Sequence, residues 1–567
     1  MTAALRVEER AAPYLVAPLL TEHLDTFASA PEGFKRLREL VLNLAVRGML
    51  VPQNSNDEPA EKLLERIRAV NIRTIPEPIH AAPHELPPSW AWTTLGEITN
   101  VGETVKAGTL HNDTWVLDLE DIEKDTSRVV CKVRFSERRS KSDKNVFAAG
   151  DVLYGKLRPY LNKVIVADEP GVCTTEILPL RGYESVDANY IKTFLKSPGF
   201  IEYVNAKSYG MKMPRLGTTD ARRAYFALPP LAEQSRIVAK VEELMALIAA
   251  LEAKVGAGGT ARGRLLDVLL AALADSPDAA ATADAWAQLA PHFDLLLQTP
   301  ADVDRLQQTL LQLAVKGRLV PQDPKDEPAA ELLKRIRAEK ERLVTEGKFK
   351  RDKPLPAINE DTLPYELPQC WHWSRLGSLG DSFDYGTSQK ATETPRGTPV
   401  LRMGNVQAGT VTLTNLKYFE DGQCELPYLY LQPGDLLFNR TNSYELVGKT
   451  GIFKGEPQRY SFASYLIRIR ANTHAIDPQY LNLYMNSLNC RLTQIEPQVV
   501  QQNGQANFNG TKLQAICIPL PPLPEQSRIV AAIASLTTLC DRLRERLTAR
   551  RALSAKLAAA LTESALQ

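Results

Sequence analysis

The stretch Leu228-Pro229-Pro230-Leu231-Ala232-Glu233-Gln234-Ser235-Arg236-Ile237-Val238 returns as Leu520-Pro521-Pro522-Leu523-Pro524-Glu525-Gln526-Ser527-Arg528-Ile529-Val530, with ten of eleven positions identical at an offset of 292. Such a match restricts the fold to architectures built from two versions of one unit. Each copy is a stop followed by a start. A double proline cannot continue a strand ladder or sit inside a helix. Glu233 and Glu525 then fall in a first helical turn, where a carboxylate suits the helix dipole, and Pro524 fits the first helical position.

Each copy opens a long apolar seam. Ile237, Val241, Leu244, Ile248, Leu251 and Val255 follow the first; Ile529, Ile533, Leu536, Cys540, Leu543 and Leu547 follow the second. Both step 4-3-4-3-4, an a/d stripe that wants a partner helix. Two equivalent seams in one chain predict an antiparallel helical rod between two similar globular units. The alternative is that each helix packs on its own domain. Gly256-Ala257-Gly258-Gly259 interrupts the first helix, and the second has no such break.

Two further markers are duplicated. Leu44-Ala45-Val46-Arg47-Gly48 matches Leu313-Ala314-Val315-Lys316-Gly317, and Asp57-Glu58-Pro59-Ala60 matches Asp326-Glu327-Pro328-Ala329, at an offset of 269. These lie in helical blocks with Leu37, Leu40, Val41 and Leu44 at helical spacing. Glu85-Leu86-Pro87-Pro88-Ser89-Trp90-Ala91-Trp92 matches Glu366-Leu367-Pro368-Gln369-Cys370-Trp371-His372-Trp373 at an offset of 281. Alternate tryptophans share one face of a short strand, which reads as a core anchor, with His372 on the outer face. Short β-like runs follow each marker, including Asp151–Tyr154, Lys163–Val166, Pro399–Met403, Asp435–Phe438 and Tyr465–Arg468, with helical patches at Tyr190–Leu195 and Tyr480–Met485. Each half is therefore a mixed α/β domain. The flanks are nearly copied while the domains diverge, so the two are expected to recognise different things.

At 567 residues, 44% hydrophobic and 24% charged, the chain has the composition of a soluble globular protein with several cores. No apolar run reaches the length of a bilayer span, and the N-terminus lacks a signal-peptide core. The seven scattered cysteines (131, 173, 370, 424, 490, 517, 540) form no CxxC pair and read as free thiols in a reducing cytoplasm. The histidines show no metal-ligand spacing.

Little in the chain resembles a catalytic motif. Gly448-Lys449-Thr450 ends like a phosphate-binding loop, but Ser443 stands where its first glycine belongs. Asp121-Ile122-Glu123-Lys124 reads as a solvated turn before it reads as a nuclease fragment. Net charge is +1, so a nucleic-acid surface would have to be local. From Cys131 to Val164 there are nine Lys/Arg against three acids. Lys156, Arg158, Tyr160, Asn162 and Lys163 interleave cations, an aromatic ring and an amide, a mixture suited to phosphates and base edges. Lys207, Tyr209, Lys212 and Arg215 form a second basic loop. The second half offers Asn439, Arg440, Thr441, Asn442 and Ser443 in the corresponding place, and an amide-rich loop with Gln502, Asn503, Gln505 and Asn507. Asn and Gln pair bidentately with adenine, and Arg with guanine.

The duplicated LPPLxEQ-R-I-V with its following heptad helix, the E-L-P-x-x-W-x-W opening and the G-D-x-L-x-x-[KR] segment together resemble the specificity subunit of type I restriction–modification enzymes, over essentially the whole chain. The resemblance implies two α/β target-recognition domains (85–230 and 366–522) separated by two long antiparallel coiled-coil helices (231–275 and 523–567). A helical segment (1–84) precedes the first domain and a helical linker repeating it (276–365) precedes the second. Each domain would read one half of a bipartite site in double-stranded DNA. The helices would space the domains, pair with each other through the seam, and dock two modification subunits on the outer face of the rod. The residues expected to serve helix pairing or partner binding are Glu233, Gln234, Arg236, Ile237, Val241, Leu244, Ile248 and Leu251 in the first helix and Glu525, Gln526, Arg528, Ile529, Ile533, Leu536, Leu543 and Leu547 in the second. No cofactor is expected in this chain. S-adenosylmethionine would belong to the adenine-methylating modification subunits, and ATP with Mg2+ to restriction subunits that translocate and cut. A rival reading is a self-contained DNA methyltransferase or nuclease with duplicated reading domains; another is a specificity subunit of a system that methylates without cutting.

Overall fold

Trp90 and Trp92 bracket the first residues of β1 (Ala91–Thr94), and the strand that ends in Leu228 of the double-proline motif is its partner. Ala91 lies opposite Leu228 and Thr94 opposite Tyr225, antiparallel. The second copy does the same: His372 lies opposite Leu520 and Arg375 opposite Cys517. Each α/β domain therefore begins and ends in one two-stranded ladder. That is why the sequence markers at the two ends of each domain are copied together.

A computed structural model describes residues 22–71, 84–138, 142–184, 186–346, 354–359, 363–420, 426–502 and 505–566. They divide into two units. One runs to Gly259 and takes in the chain from Ala549 on; the other is Thr260–Thr548.

In the first unit α1 (Gly33–Val46) and α2 (Ala60–Val70) precede β1. The domain then builds a four-stranded sheet in the order β2 (Thr99–Val101), β8 (Ile177–Gly182), β5 (Val152–Gly155), β6 (Val164–Val166). A second sheet is centred on β4 (Lys144–Phe147), β7 (Gly171–Thr174) and β3 (Trp115–Leu117), with a parallel β3–β7 pair. Two helices, α3 (Ala188–Leu195) and α4 (Pro198–Lys207), lead back to β9 (Tyr225–Leu228). Asp187 and Ser197 cap them with their side-chain oxygens. Then comes α5 (Leu231–Ala274), 44 residues long.

The second unit repeats the plan. Helices α6 (Pro300–Val315) and α7 (Ala329–Thr345) precede β10 (His372–Arg375). A six-stranded sheet places β11 (Gly380–Tyr385), β15 (Leu466–Ala471), β12 (Leu436–Asn439) and β14 (Thr450–Ile452) side by side, closed by two-residue strands at 410–411 and 406–407. A three-stranded sheet joins β13 (Thr441–Asn442), β17 (Gln505–Asn507) and β16 (Val500–Gln502). Helix α8 (Pro478–Met485) is capped by Asp477, and β18 (Cys517–Leu520) leads into α9 (Leu523–Ser564).

One sequence expectation is corrected. The glycines at 256–259 do not break α5, which runs through them. The helix surroundings explain it: a Cβ on Gly256, Gly258 or Gly259 would meet nothing within 4 Å, so no packing forces the backbone aside there. By length and composition alone, α5 is also long and apolar enough to cross a membrane.

The seams pack into the core of a unit. Ile237, Val241, Leu244 and Ile248 join Leu37, Leu40, Val41 and Leu44 of α1, together with Trp90, Tyr190 and Phe226. Ile529, Ile533, Cys540 and Leu547 join Val303, Leu306, Leu310 and Leu313 of α6, with Trp371 and Tyr480. Each long helix thus packs with its own unit. Each core also takes in the far end of the other long helix: Ala558 and Ala565 in the first unit, Leu266, Leu270 and Leu273 in the second. Leu251, Leu536 and Leu543 are half-buried at the margins, and Val255 is exposed.

Candidate nucleic-acid interface

The copied motif proves to be a latch. Glu233 and Gln234 are fully buried, as are Glu525 and Gln526, so none of the four lies on an outer face of its helix. Gln234 accepts a hydrogen bond from the Asp187 amide (2.9 Å) and donates to the Pro229 carbonyl (3.0 Å). Gln526 does the same with the Asp477 amide (2.7 Å) and the Pro521 carbonyl (3.0 Å). One side chain so joins the helix start, the strand end and the N-terminus of α3 or α8. Arg236 pairs with Asp57 (2.6 Å) and Arg528 with Asp326 (2.7 Å), which ties the preceding helical block to the same point. The glycine-aspartate motif is also internal. Asp151 accepts from the Ala148 amide and from Arg181, and Asp435 from the Gln432 amide and from Arg470. These bonds hold β5 and β12 in place, so the loops that leave them start from a rigid base.

Two loops distant in the first half of the sequence meet beyond β5. Lys156 is anchored by its amide to the Glu176 carbonyl (2.8 Å), and its carbonyl accepts from the Leu216 amide (3.0 Å). The Arg158 amide donates to the Pro214 carbonyl (2.7 Å). Tyr209 and Arg215 exchange both backbone hydrogen bonds, and Arg215 pairs with Glu176 (2.6 Å). Arg158, Tyr160, Tyr209, Lys212 and Arg215 are exposed on the resulting surface, with Lys207 half-buried at its margin. Arg158 and Asn162 sit at positive φ (51° and 50°), enclosing one turn of 3-10 helix. Lys156 donates to the Thr218 hydroxyl (3.2 Å), and burial pulls its ammonium below the usual lysine range. Lys163 does not join this surface; its ammonium is held by the Leu119 carbonyl (2.6 Å).

Most of the other cations counted in that stretch are spent within the fold. Lys132 pairs with Asp168 (2.7 Å), Arg134 with Glu169 (3.1 Å), and Lys144 with Asp118 (3.6 Å). Arg138 clasps Asp121, and that side-chain bond lifts its guanidinium further above the ordinary range. Asp121 is buried, not the solvated turn expected, and it accepts from Arg138 and Cys131. Arg139 and Lys141 lie outside the described residues.

The second unit also brings its two loops together. β13 pairs with β17, setting Thr441 opposite Asn507. The Thr441 hydroxyl donates to the Asn507 amide oxygen (2.8 Å), and the Arg440 carbonyl accepts from the Phe508 amide (2.8 Å). Arg440 lies over the Tyr385 ring, 5.1 Å from its centroid, and donates to the Ser464 carbonyl (3.2 Å). Ser443 is exposed and Asn442 half-exposed. Asn439 and Thr441 are buried, so they shape the loop from beneath. Asn503 lies outside the described residues, and of Gln502 and Gln505 only the backbone is described. Tyr385 and Tyr465, both exposed, flank Arg440; the sequence reading places Tyr465 only in a strand and marks neither tyrosine as a site residue.

Among the described residues no three His, Cys, Asp or Glu side chains gather as a metal site requires. Among the described residues, each unit thus brings two loops together at one surface, basic in the first with Met211 and Met213 exposed beside the cations, and carrying an arginine, tyrosines and amides in the second.

Known proteins say which family builds this arrangement. The type I restriction modification DNA specificity domain matches residues 368–550. The Type I restriction enzyme EcoEI specificity subunit of Escherichia coli is 32% identical, over 97% of this chain and 100% of that protein. The EcoAI specificity subunit of the same species is also 32% identical over the same shares. A chain from a structure describing complex assembly and conformational transition of the type I R-M system has a TM-score of 0.50 at 20% identity, covering 86% of this chain and 99% of that one. The chain belongs to the type I restriction enzyme specificity subunits.

Proposed function

We propose that this chain is the sequence-specific DNA-binding subunit of a type I restriction–modification assembly, with the first unit reading one half of a bipartite double-stranded site and the second unit the other. The observation that carries this reading is the matched convergence of loops: 156–160 with 209–216 in one unit, 440–444 with 500–502 and 505–508 in the other, each on a base fixed by the same aspartate–arginine pair. In the first unit Arg158, Lys212 and Arg215 supply phosphate and guanine contacts. In the second, Arg440 on its tyrosine, with Asn442 and the amides of 500–509, supplies donors and acceptors for base edges. The long helices carry the spacing between half-sites and, through surfaces outside the latch, recruit two modification subunits that use S-adenosylmethionine. Restriction subunits using ATP and Mg2+ complete the assembly. The protein works in the cytoplasm. The burial of Glu233, Gln234, Glu525 and Gln526 moves partner docking to other positions on these helices.

The test is binding of the assembled complex to duplexes with either half-site scrambled. Arg158→Ala should weaken binding by about 1–3 kcal/mol through the first half-site alone, and Arg440→Ala by a similar amount through the second. Equal losses on both scrambled duplexes would overturn the assignment of one half-site per unit.

A further inference from the structure

The first unit's contact surface ends in a feature that phosphate binding does not explain. Between Tyr209 and Arg215 the chain makes a hairpin whose tip carries Met211 and Met213, 101% and 52% exposed. Its base is fixed. Tyr209 and Arg215 exchange backbone hydrogen bonds of 3.1 and 2.9 Å, Gly210 takes the turn at φ +101°, and the Pro214 carbonyl receives the Arg158 amide. Two large apolar side chains are thus held out into solvent on a rigid stem, with exposed cations at Arg158, Lys212 and Arg215 around them. The cations fit the phosphates of a duplex, which would leave the thioethers facing whatever apolar surface lies between those phosphates. In a duplex that is the base stack, reached when a step opens. Unbranched, flexible methionine suits such an irregular gap, and apolar side chains inserted at a step kink the helix.

We propose that Met211 and Met213 form a wedge that opens a base-pair step in the half-site read by the first unit, so that this half is recognised partly through its deformability. The proposal rests on the DNA-reading assignment above. It makes the two halves unlike in mechanism, because the matching loop at 499–509 carries amides and no methionine. Flexible pyrimidine–purine steps should be preferred at the wedge position, and stiff A-tracts should be disfavoured.

The experiment places 2-aminopurine in turn at each position of the first half-site and measures fluorescence when the assembled complex binds. The wild-type complex should brighten one or two neighbouring positions. Met211→Ala/Met213→Ala should lose that signal, bind about tenfold more weakly, and discriminate less between flexible and stiff steps, with an unchanged salt dependence because no charge is removed. Lys212→Ala should keep the fluorescence and make the salt slope shallower by about one. Brightening that persists in the methionine variant belongs to another chain and counts against the wedge. Weaker binding without a change in fluorescence would overturn it in favour of a groove or protein contact. In either case Arg158→Ala still weakens binding through the first half-site if the DNA-reading assignment holds. If Arg158→Ala and scrambling of that half-site both leave affinity unchanged, the assignment itself fails.

Discussion

The two latches use the same residues for the same bonds, and the two contact surfaces share almost none. Gln234 and Gln526 meet an amide and a proline carbonyl in the same way, and Arg236 and Arg528 reach the same aspartate of the repeat. Leu216 and Phe508 at the bases of these loops are buried in the two cores, but the exposed tips lie outside the cores and are free to differ. A buried amide with two partners allows few substitutions, since an unsatisfied partner costs about 1–3 kcal/mol. An exposed loop tip allows many. One difference lies inside the latch. Glu233 accepts a hydrogen bond from Gln53 (2.7 Å), whereas the equivalent Gln322 donates to the Gly317 carbonyl and leaves Glu525 without it. Both Glu525 oxygens lack a hydrogen-bond partner of normal geometry, and burial pushes its carboxyl up to about 7, against the opposing pull of the Trp371 indole.

The strongest break of the comparison is a charge in one seam. Leu244→Glu should destabilise the first unit by about 3–5 kcal/mol, and Ile533→Glu the second, because each buries an unpaired carboxylate. Hydrogen exchange should show protection lost mainly in the unit carrying the change. Loss spread evenly over both would mean that they unfold as one.

Next in size, Gln234→Ala and Gln526→Ala should each lower stability by about 1–3 kcal/mol, and by similar amounts, in denaturant unfolding. A large inequality would break the equivalence of the latches.

Glu525 should separate them by pH. Its folded pKa is raised, so the stability it contributes is full below the unfolded value near 4.5 and is lost as pH rises through about 7. Glu525→Gln should therefore stabilise the second unit above pH 7 by about 1 kcal/mol and flatten the fall between pH 5 and 8. Melting across that range checks it. Glu233 is raised by burial as well, with Gln53 opposing, so Glu233→Gln should give the weaker effect.

The smallest effect sharpens the contrast between the long helices. Gly256→Ala, Gly258→Ala and Gly259→Ala should each add roughly 0.5–1 kcal/mol, since the helix is continuous and space is open around all three. A drop in melting temperature would show that the glycines serve a departure from helix.

Architecture was legible where residues were copied. The copied motifs fall at β1, at the end of β9 and at the starts of the long helices, where core and latch positions tolerate little change. Charge was not legible. Counting cations between Cys131 and Val164 missed their partners Asp118, Asp121, Asp168 and Glu169, which lie outside that window and reach it only through the sheet. Glu233 and Gln234 were assigned to helix pairing or partner contact by their place beside a heptad, although they occupy no seam position; their copying beside the double proline was the signal of an internal role. The glycines of α5 misled because propensity is a weak guide inside a 44-residue helix. Single tyrosines such as Tyr385 and Tyr465 carry no pattern at all.

The two-stranded closure of each domain has a consequence for how such chains change. Ala91 lies beside Leu228, and His372 beside Leu520, so the polypeptide leaves its helical frame and rejoins it at one spot. To the frame, the intervening residues are a plug with a fixed socket. Any other plug that brings its ends together in the same antiparallel register would leave the latch bonds untouched. A wholesale exchange of the domain should therefore disturb the frame less than one substitution at Gln234 or Gln526.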